Sequence, residues 1–261
     1  MAAKKQSQHT AKIQPAEQTS TLRLRGKTAV VTGGSSGIGY AIARALAAEG
    51  CEVVITARDA ASLKRSGSHL TAELQSGAQI VPMACDVRDP DSVRALFDFV
   101  GKRFAKLNVL VNNAGISQPP TSVEDTSVEM WHDIVETNLT GVFLCTRAAL
   151  PLMQAGATII NNISAAAKQV FPKFSAYTAA KTGAYGFTLA LRDELIPRGI
   201  RVTALMPGAT STPIWQQIIP DMPREHMIDV DSVAQAVLYA VLLPPQANLS
   251  EFLLTPTRGV L

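Results

Sequence analysis

The 261 residues are 47% hydrophobic and carry a formal charge of +3, enough apolar material for one large core and too little clustered basic charge for a nucleic-acid surface. Three widely separated cysteines (Cys51, Cys85, Cys145) without a Cys-x-x-Cys pair fit buried free thiols in a reducing compartment, and four scattered histidines offer no ligand spacing, so no metal is expected. The longest apolar stretch, Val233 to Leu243, contains Gln235 and stops at Pro244-Pro245, short of the ~20 residues that span a bilayer. A cytoplasmic protein with no membrane partner is the expectation.

Residues 1–22, rich in Gln, Thr, Ser, Lys and Ala, read as a disordered tail without the apolar core of a signal peptide. Residues 23–261 read as one domain. From Lys27 onward short β-branched runs alternate with longer helical patterns, the signature of βαβ units. Strands are expected at Thr28 to Thr32, Glu52 to Thr56, Gln79 to Ala84, Asn108 to Val111, Thr158 to Ile163, Arg201 to Leu205 and Phe252 to Leu254. Helices are expected at Ile38 to Glu49, Ala60 to Gln75, Pro90 to Phe104, Ser127 to Asn138, Gly141 to Gln154, Ser175 to Leu195 and Ser232 to Leu243. The pattern predicts an α/β fold with a seven-stranded, mainly parallel sheet covered by helices on both faces.

The first strand runs into Gly33-Gly34-Ser35-Ser36-Gly37-Ile38-Gly39. Here the chain must turn sharply into a helix whose N-terminal amides face a phosphate, and glycine lets backbone and pyrophosphate approach closely. The Gly-x-x-x-Gly-x-Gly spacing is weak evidence alone; its position between strand and helix strengthens it. An acidic residue at the end of the second strand would select NAD through the ribose hydroxyl. Ala57 stands there, followed by Arg58, which suits the 2'-phosphate of NADP(H); the plainer alternative is a surface arginine paired with Asp59. After the third strand, Asp86 has a carboxylate suited to an adenine amino group, with Val87 beside it.

Tyr177 and Lys181 are four apart on a predicted helix and so share a face. An ammonium beside the phenol would favour phenolate and lower its pKa from ~10 toward working pH, and Ser164, at the end of the fifth strand, could hold a substrate oxygen. The three read as a proton-transfer site; the bland alternative is a solvated helix face.

In order along the chain, the glycine turn, Asn112-Asn113-Ala114-Gly115, Asn138, Ser164, Tyr177-Thr178-Ala179-Ala180-Lys181 and Pro207-Gly208 resemble the short-chain dehydrogenase/reductase family over nearly all of Lys27 to Thr255. The resemblance implies a Rossmann-like doubly wound fold and an oxidoreductase that interconverts a carbonyl and an alcohol with NADP(H). It implies Tyr177 as general acid in reduction and base in oxidation, and Lys181 as the group that lowers its pKa and binds the nicotinamide ribose. Ser164 would stabilise the alkoxide, and Asn138 would hold a water that links Lys181 to solvent. Asn113, Ala114 and Gly115 would lie along the cofactor, with Thr210 or Thr212 near the carboxamide. Two departures stand out. Ala165-Ala166-Ala167 follows the serine where the family often has another small polar residue or glycine, and the Asp-Gly-Gly ending of many tetrameric members is missing. A homodimer or homotetramer is implied, through a face built on the small residues Ala176, Ala179, Ala180, Gly183 and Ala184; tight packing inside one subunit is the alternative.

A lid at about 209–229 carries Ile214, Trp215, Ile218, Ile219, Met222 and Met227, opposite Val170, Phe171 and Phe174. These predict an apolar pocket for a hydrophobic ketone or aldehyde, unless they only pack the lid onto the body. Lys168, Lys173, Arg224 and His226 leave room for an acyl-carrier partner and hence 3-oxoacyl-thioester reduction. From a different class, a non-catalytic NADP sensor would be marked by loss of Ser164, Tyr177 or Lys181, and all three are present.

Overall fold

The computed structural model describes residues 22–74 and 76–258. The expected tail lies outside these residues except for Leu22, and so does Gln75, the expected end of the second helix. The strands are β1 (Thr28–Thr32), β2 (Glu52–Ala57), β3 (Ile80–Ala84), β4 (Leu107–Asn112), β5 (Met153–Asn162), β6 (Arg201–Pro207) and β7 (Glu251–Leu254). The helices are α1 (Gly37–Ala48), α2 (Ala60–Glu73), α3 (Pro90–Phe104), α4 (Val128–Val135), α5 (Gly141–Ala149), α6 (Ser175–Leu195), α7 (Trp215–Ile218) and α8 (Val230–Leu242). The strands form one sheet in the order β3-β2-β1-β4-β5-β6-β7. Every pairing is parallel.

Side-chain alternation along the strands splits the core in two. Val31, Val53, Ile55, Val111 and Ile160 pack with α1, α2 and α8 on one face. Val30, Val54, Leu110, Ile159 and Val202 pack with α3, α5 and α6 on the other. Local sequence explains where several helices start: Asp59 and Asp89 accept from the amides of Ala61 and Asp91 at 3.0 Å each, and Ser127 caps α4. At the far end of α8, Arg201 of β6 donates to the carbonyls of Val241 (3.0 Å) and Leu243 (2.9 Å), which helical bonding cannot satisfy.

Two helix expectations are corrected. The helix expected over Ser127 to Asn138 stops at Val135, where Glu136–Thr140 form a π turn that runs directly into α5. The next, expected to reach Gln154, ends at Ala149. Pro151 lacks the N–H a helix needs and disfavours helical backbone at Leu150, so Leu150–Leu152 tighten into a 3-10 turn and β5 starts early, at Met153. On α6, Ala176, Ala180 and Ala184 are buried within the chain, which is the alternative reading of its small-residue run, while Ala179 is exposed.

Candidate active site

Strand order reverses between β1 and β4, and a crevice opens beyond the carboxyl ends of the strands at such a point. A cleft of about 1090 Å³ lies there. Every residue expected to act in catalysis or to bind the cofactor lines it except Gly39. Gly39 stands behind the wall: a Cβ on it would come within 2.3 Å of the Gly33 carbonyl oxygen and 2.4 Å of Asn113 Nδ2, so only glycine fits. Gly33 itself turns with φ +65°, a conformation glycine adopts without strain.

The turn leads into α1 with no acidic residue in the first helical turn, and Ser36 makes no side-chain cap. The N-terminal amides and helix dipole are thus suited to an anion. Thr32, which the sequence reading passed over, anchors the opposite strand: its Oγ1 accepts from the backbone N–H of Asn113 and of Ala114, both at 2.9 Å. Arg58 lies at the same end. Among the described residues it forms no ion pair with Asp59, whose carboxylate caps α2. Asp86 is held in place by Arg88, whose Nε and Nη2 donate to its carboxylate at 2.7 to 3.1 Å while its Nη1 reaches Asp133 at 2.8 Å. These bonds, helped by the charges of Arg88 and Arg58, keep Asp86 below the usual carboxylate range.

At the other end, Ser164 follows β5, and Tyr177 and Lys181 sit on successive turns of α6. Lys181 is buried. Its Nζ donates to the Asn162 carbonyl at 2.9 Å and lies 5.7 Å from the Tyr177 ring centre. Burial pushes the Lys181 ammonium down to about 8. The expected lowering of the phenol is corrected: burial raises the Tyr177 pKa, and the neighbouring Ser164 hydroxyl offsets only part of that. Withdrawing a phenolate from water outweighs its one hydrogen bond. Ser164 Oγ also accepts from the Ala166 N–H at 3.1 Å, so the alanine run contributes a backbone donor to the serine.

Asn138 is fully buried in the π turn. Its Nδ2 donates to the carbonyls of Ile116 (2.8 Å) and Ile134 (2.9 Å), and its Oδ1 accepts from the Ile116 N–H at 3.3 Å. Both amide hydrogens are committed, which leaves the side chain only acceptor capacity toward a water.

Ile214, Trp215, Ile218, Ile219 and Met222 of the lid face the cleft with Phe171 and Phe174, whereas Met227 and Val170 are not part of its lining. Of the basic residues considered for an acyl carrier, Lys168 is ion-paired with Glu251, and His226 lies 3.0 Å from Arg258. Among the described residues no cluster of three or more metal-ligating side chains occurs, and no helix is long and apolar enough to cross a membrane.

Residues 27–223 match a family model described as short chain dehydrogenase. A 3beta-hydroxysteroid dehydrogenase of Mediterraneibacter gnavus is 35% identical over 77% of this chain and 72% of its own length. A short chain dehydrogenase from Burkholderia cenocepacia, solved in complex with NADP, superposes with a TM-score of 0.80 at 32% identity over 89% of this chain and 98% of that one. A 3-ketoacyl-(acyl-carrier-protein) reductase from Brucella melitensis, solved with NADH, also has a TM-score of 0.80, at 30% identity over 90% and 98% of the two chains.

Proposed function

Because the chain belongs to the short-chain dehydrogenase/reductase family of oxidoreductases acting on CH–OH and C=O groups, we propose that it reduces a hydrophobic ketone or aldehyde with NADP(H), with Tyr177 as proton donor. The carrying observation is that Ser164, Tyr177 and Lys181 line the same cleft as the glycine turn.

The residues fit a nicotinamide dinucleotide: the tight cradle of Gly33 and Gly39 and the uncapped start of α1 suit its pyrophosphate. The cofactor supplies the hydride; the protein supplies orientation and a proton. Ser164 Oγ and the Tyr177 hydroxyl take hold of the substrate oxygen. As negative charge develops there, Tyr177 gives up its proton. With its pKa raised by burial, the phenol is protonated at neutral pH and stands ready as the acid of the reduction step. Lys181, charged below about pH 8, stabilises the phenolate left behind and holds the nicotinamide ribose. Asn138 offers its Oδ1 to a water beside Lys181. Arg58 beside the neutral Ala57 takes the 2'-phosphate, and Asp86 accepts from the adenine amino group. The aromatic and aliphatic walls exclude water and favour an apolar substrate.

A second reading, 3-oxoacyl-thioester reduction, draws on the likeness to the Brucella melitensis reductase; the pairing of Lys168 with Glu251 removes one of the cations that would meet an acidic carrier. A non-catalytic sensor has little support when all three polar groups share the cleft. NADPH consumption against a panel of ketones, aldehydes and 3-oxoacyl thioesters separates these readings. Apolar ketones or aldehydes should turn over fastest, and Tyr177→Phe should lower kcat by about 10²–10⁴-fold, the range of general acid catalysis. Turnover that survives in Tyr177→Phe would overturn the assignment.

A further inference from the structure

We infer that Asn162 is a positioning residue that sets cofactor affinity by locking the amide of Asn113 against the glycine turn. The inference rests on the nicotinamide-dinucleotide reading of the cleft.

Asn113 Nδ2 donates to the carbonyls of both Thr32 (2.9 Å) and Gly33 (3.2 Å). Two acceptors on one atom identify it as the nitrogen, so Asn113 Oδ1 points the other way. There it meets Asn162 Nδ2 at 2.8 Å. The second amide is thereby oriented too: Asn162 must turn its nitrogen toward Asn113, and its Oδ1 is buried without a partner among the described residues. An amide kept with one end unsatisfied is held for its other end. Asn162 ends β5, whose backbone is fixed independently by pairing with Leu205 of β6, and its carbonyl accepts from Lys181. A continuous set of bonds therefore runs from Lys181 through Asn162 and Asn113 to Gly33, the first glycine of the turn.

Replacing Asn162 with leucine removes one unpaired buried oxygen but takes away the donor to Asn113 Oδ1, so the cost falls at Asn113. Asn113 loses the partner that prevents its amide from rotating. Gly39 leaves no slack: its Cα packs so closely that a Cβ would stand 2.4 Å from Asn113 Nδ2. A rotated Asn113 would release the Gly33 carbonyl and loosen the turn that faces the pyrophosphate.

The test compares the full chain with Asn162→Leu in two measurements: NADPH dissociation constant by fluorescence titration, and amide hydrogen exchange of the unliganded protein. The expected result is a dissociation constant raised about tenfold and faster exchange at Gly33 to Gly39, with exchange in β5 unchanged. In an Asn113→Ala background, adding Asn162→Leu should change affinity no further. Unaltered affinity and turn exchange in Asn162→Leu would overturn the inference, as would faster exchange in β5 alone, which marks a merely structural role. A wild-type chain that binds neither NADPH nor NADH would overturn the cleft reading itself, and this inference with it.

Discussion

Lys181 concentrates the tension of the site in one side chain: an ammonium that the proposed mechanism needs charged sits where burial pushes its pKa from 10.5 to about 8. Between those values the unfolded chain holds the proton and the folded chain does not, so raising pH favours the fold. Below about pH 8 the folded state bears the whole cost, about 3 kcal/mol. Lys181→Met should remove that penalty while abolishing turnover. Chemical denaturation from pH 7.5 to 10.5 should show the wild type gaining stability relative to the variant; parallel curves would refute the assignment. The pairing of Tyr177 with Lys181 was legible from a four-residue spacing and Ser164 from its place after a strand. The direction of the phenol's shift was not, because spacing reports neighbouring charge and says nothing about how much water is excluded. Thr32 and Asn162 went unseen for a related reason. Their roles depend on which strand ends meet, which neither the glycine turn that Thr32 leads into nor the apolar run around Asn162 reveals.

Among the elements, β1, α3 and α6 lie where periodicity and local signals put them, and the breaks were harder to read. The π turn at Glu136–Thr140 inserts a residue into a helical run, and no glycine or proline within it marks the change. Pro151 was a visible stop signal whose effect the apolar run around it masked. Arg201 shows a capping interaction that no local rule reveals, because the carbonyls it satisfies, those of Val241 and Leu243, lie 40 and 42 residues further on in the chain. Burial lowers its pKa, yet its guanidinium supplies several charge-assisted bonds to α8 carbonyls. Arg201→Met should therefore lower unfolding free energy by about 2 kcal/mol, which corresponds to about 4–8 °C in Tm. Calorimetry giving an unchanged Tm would show that water satisfies those carbonyls equally well.

For the whole molecule, the alternation of strand and helix patterns was sufficient to foresee a doubly wound sheet, and the sheet is parallel throughout. The cleft's ends could be assigned because motif order maps onto strand order at the reversal between β1 and β4. Assembly was less legible, since buried alanines on α6 serve this chain's own core, and small residues alone do not say which body they pack against. Cofactor preference is testable on the intact protein. A ligand that binds only the folded chain raises Tm according to its concentration relative to Kd, so NADPH should raise Tm more than NADH at equal concentration. Arg58→Ala should shrink that difference; equal shifts in the wild type would contradict the assignment of Arg58.

The strand order also bears on how the chain reaches this state during synthesis. The β1 strand pairs on one side with β2, which emerges soon after it, and on the other with β4. The first half-sheet must therefore wait with one flank of its central strand unpaired while α2, β3 and α3 are made. The turn that begins at Gly33 is buttressed from β4 and β5, so it stays unsupported until those strands have left the ribosome. Capture of the proposed dinucleotide therefore cannot precede the making of β5, and a ligand held by the finished fold protects it from unfolding by mass action.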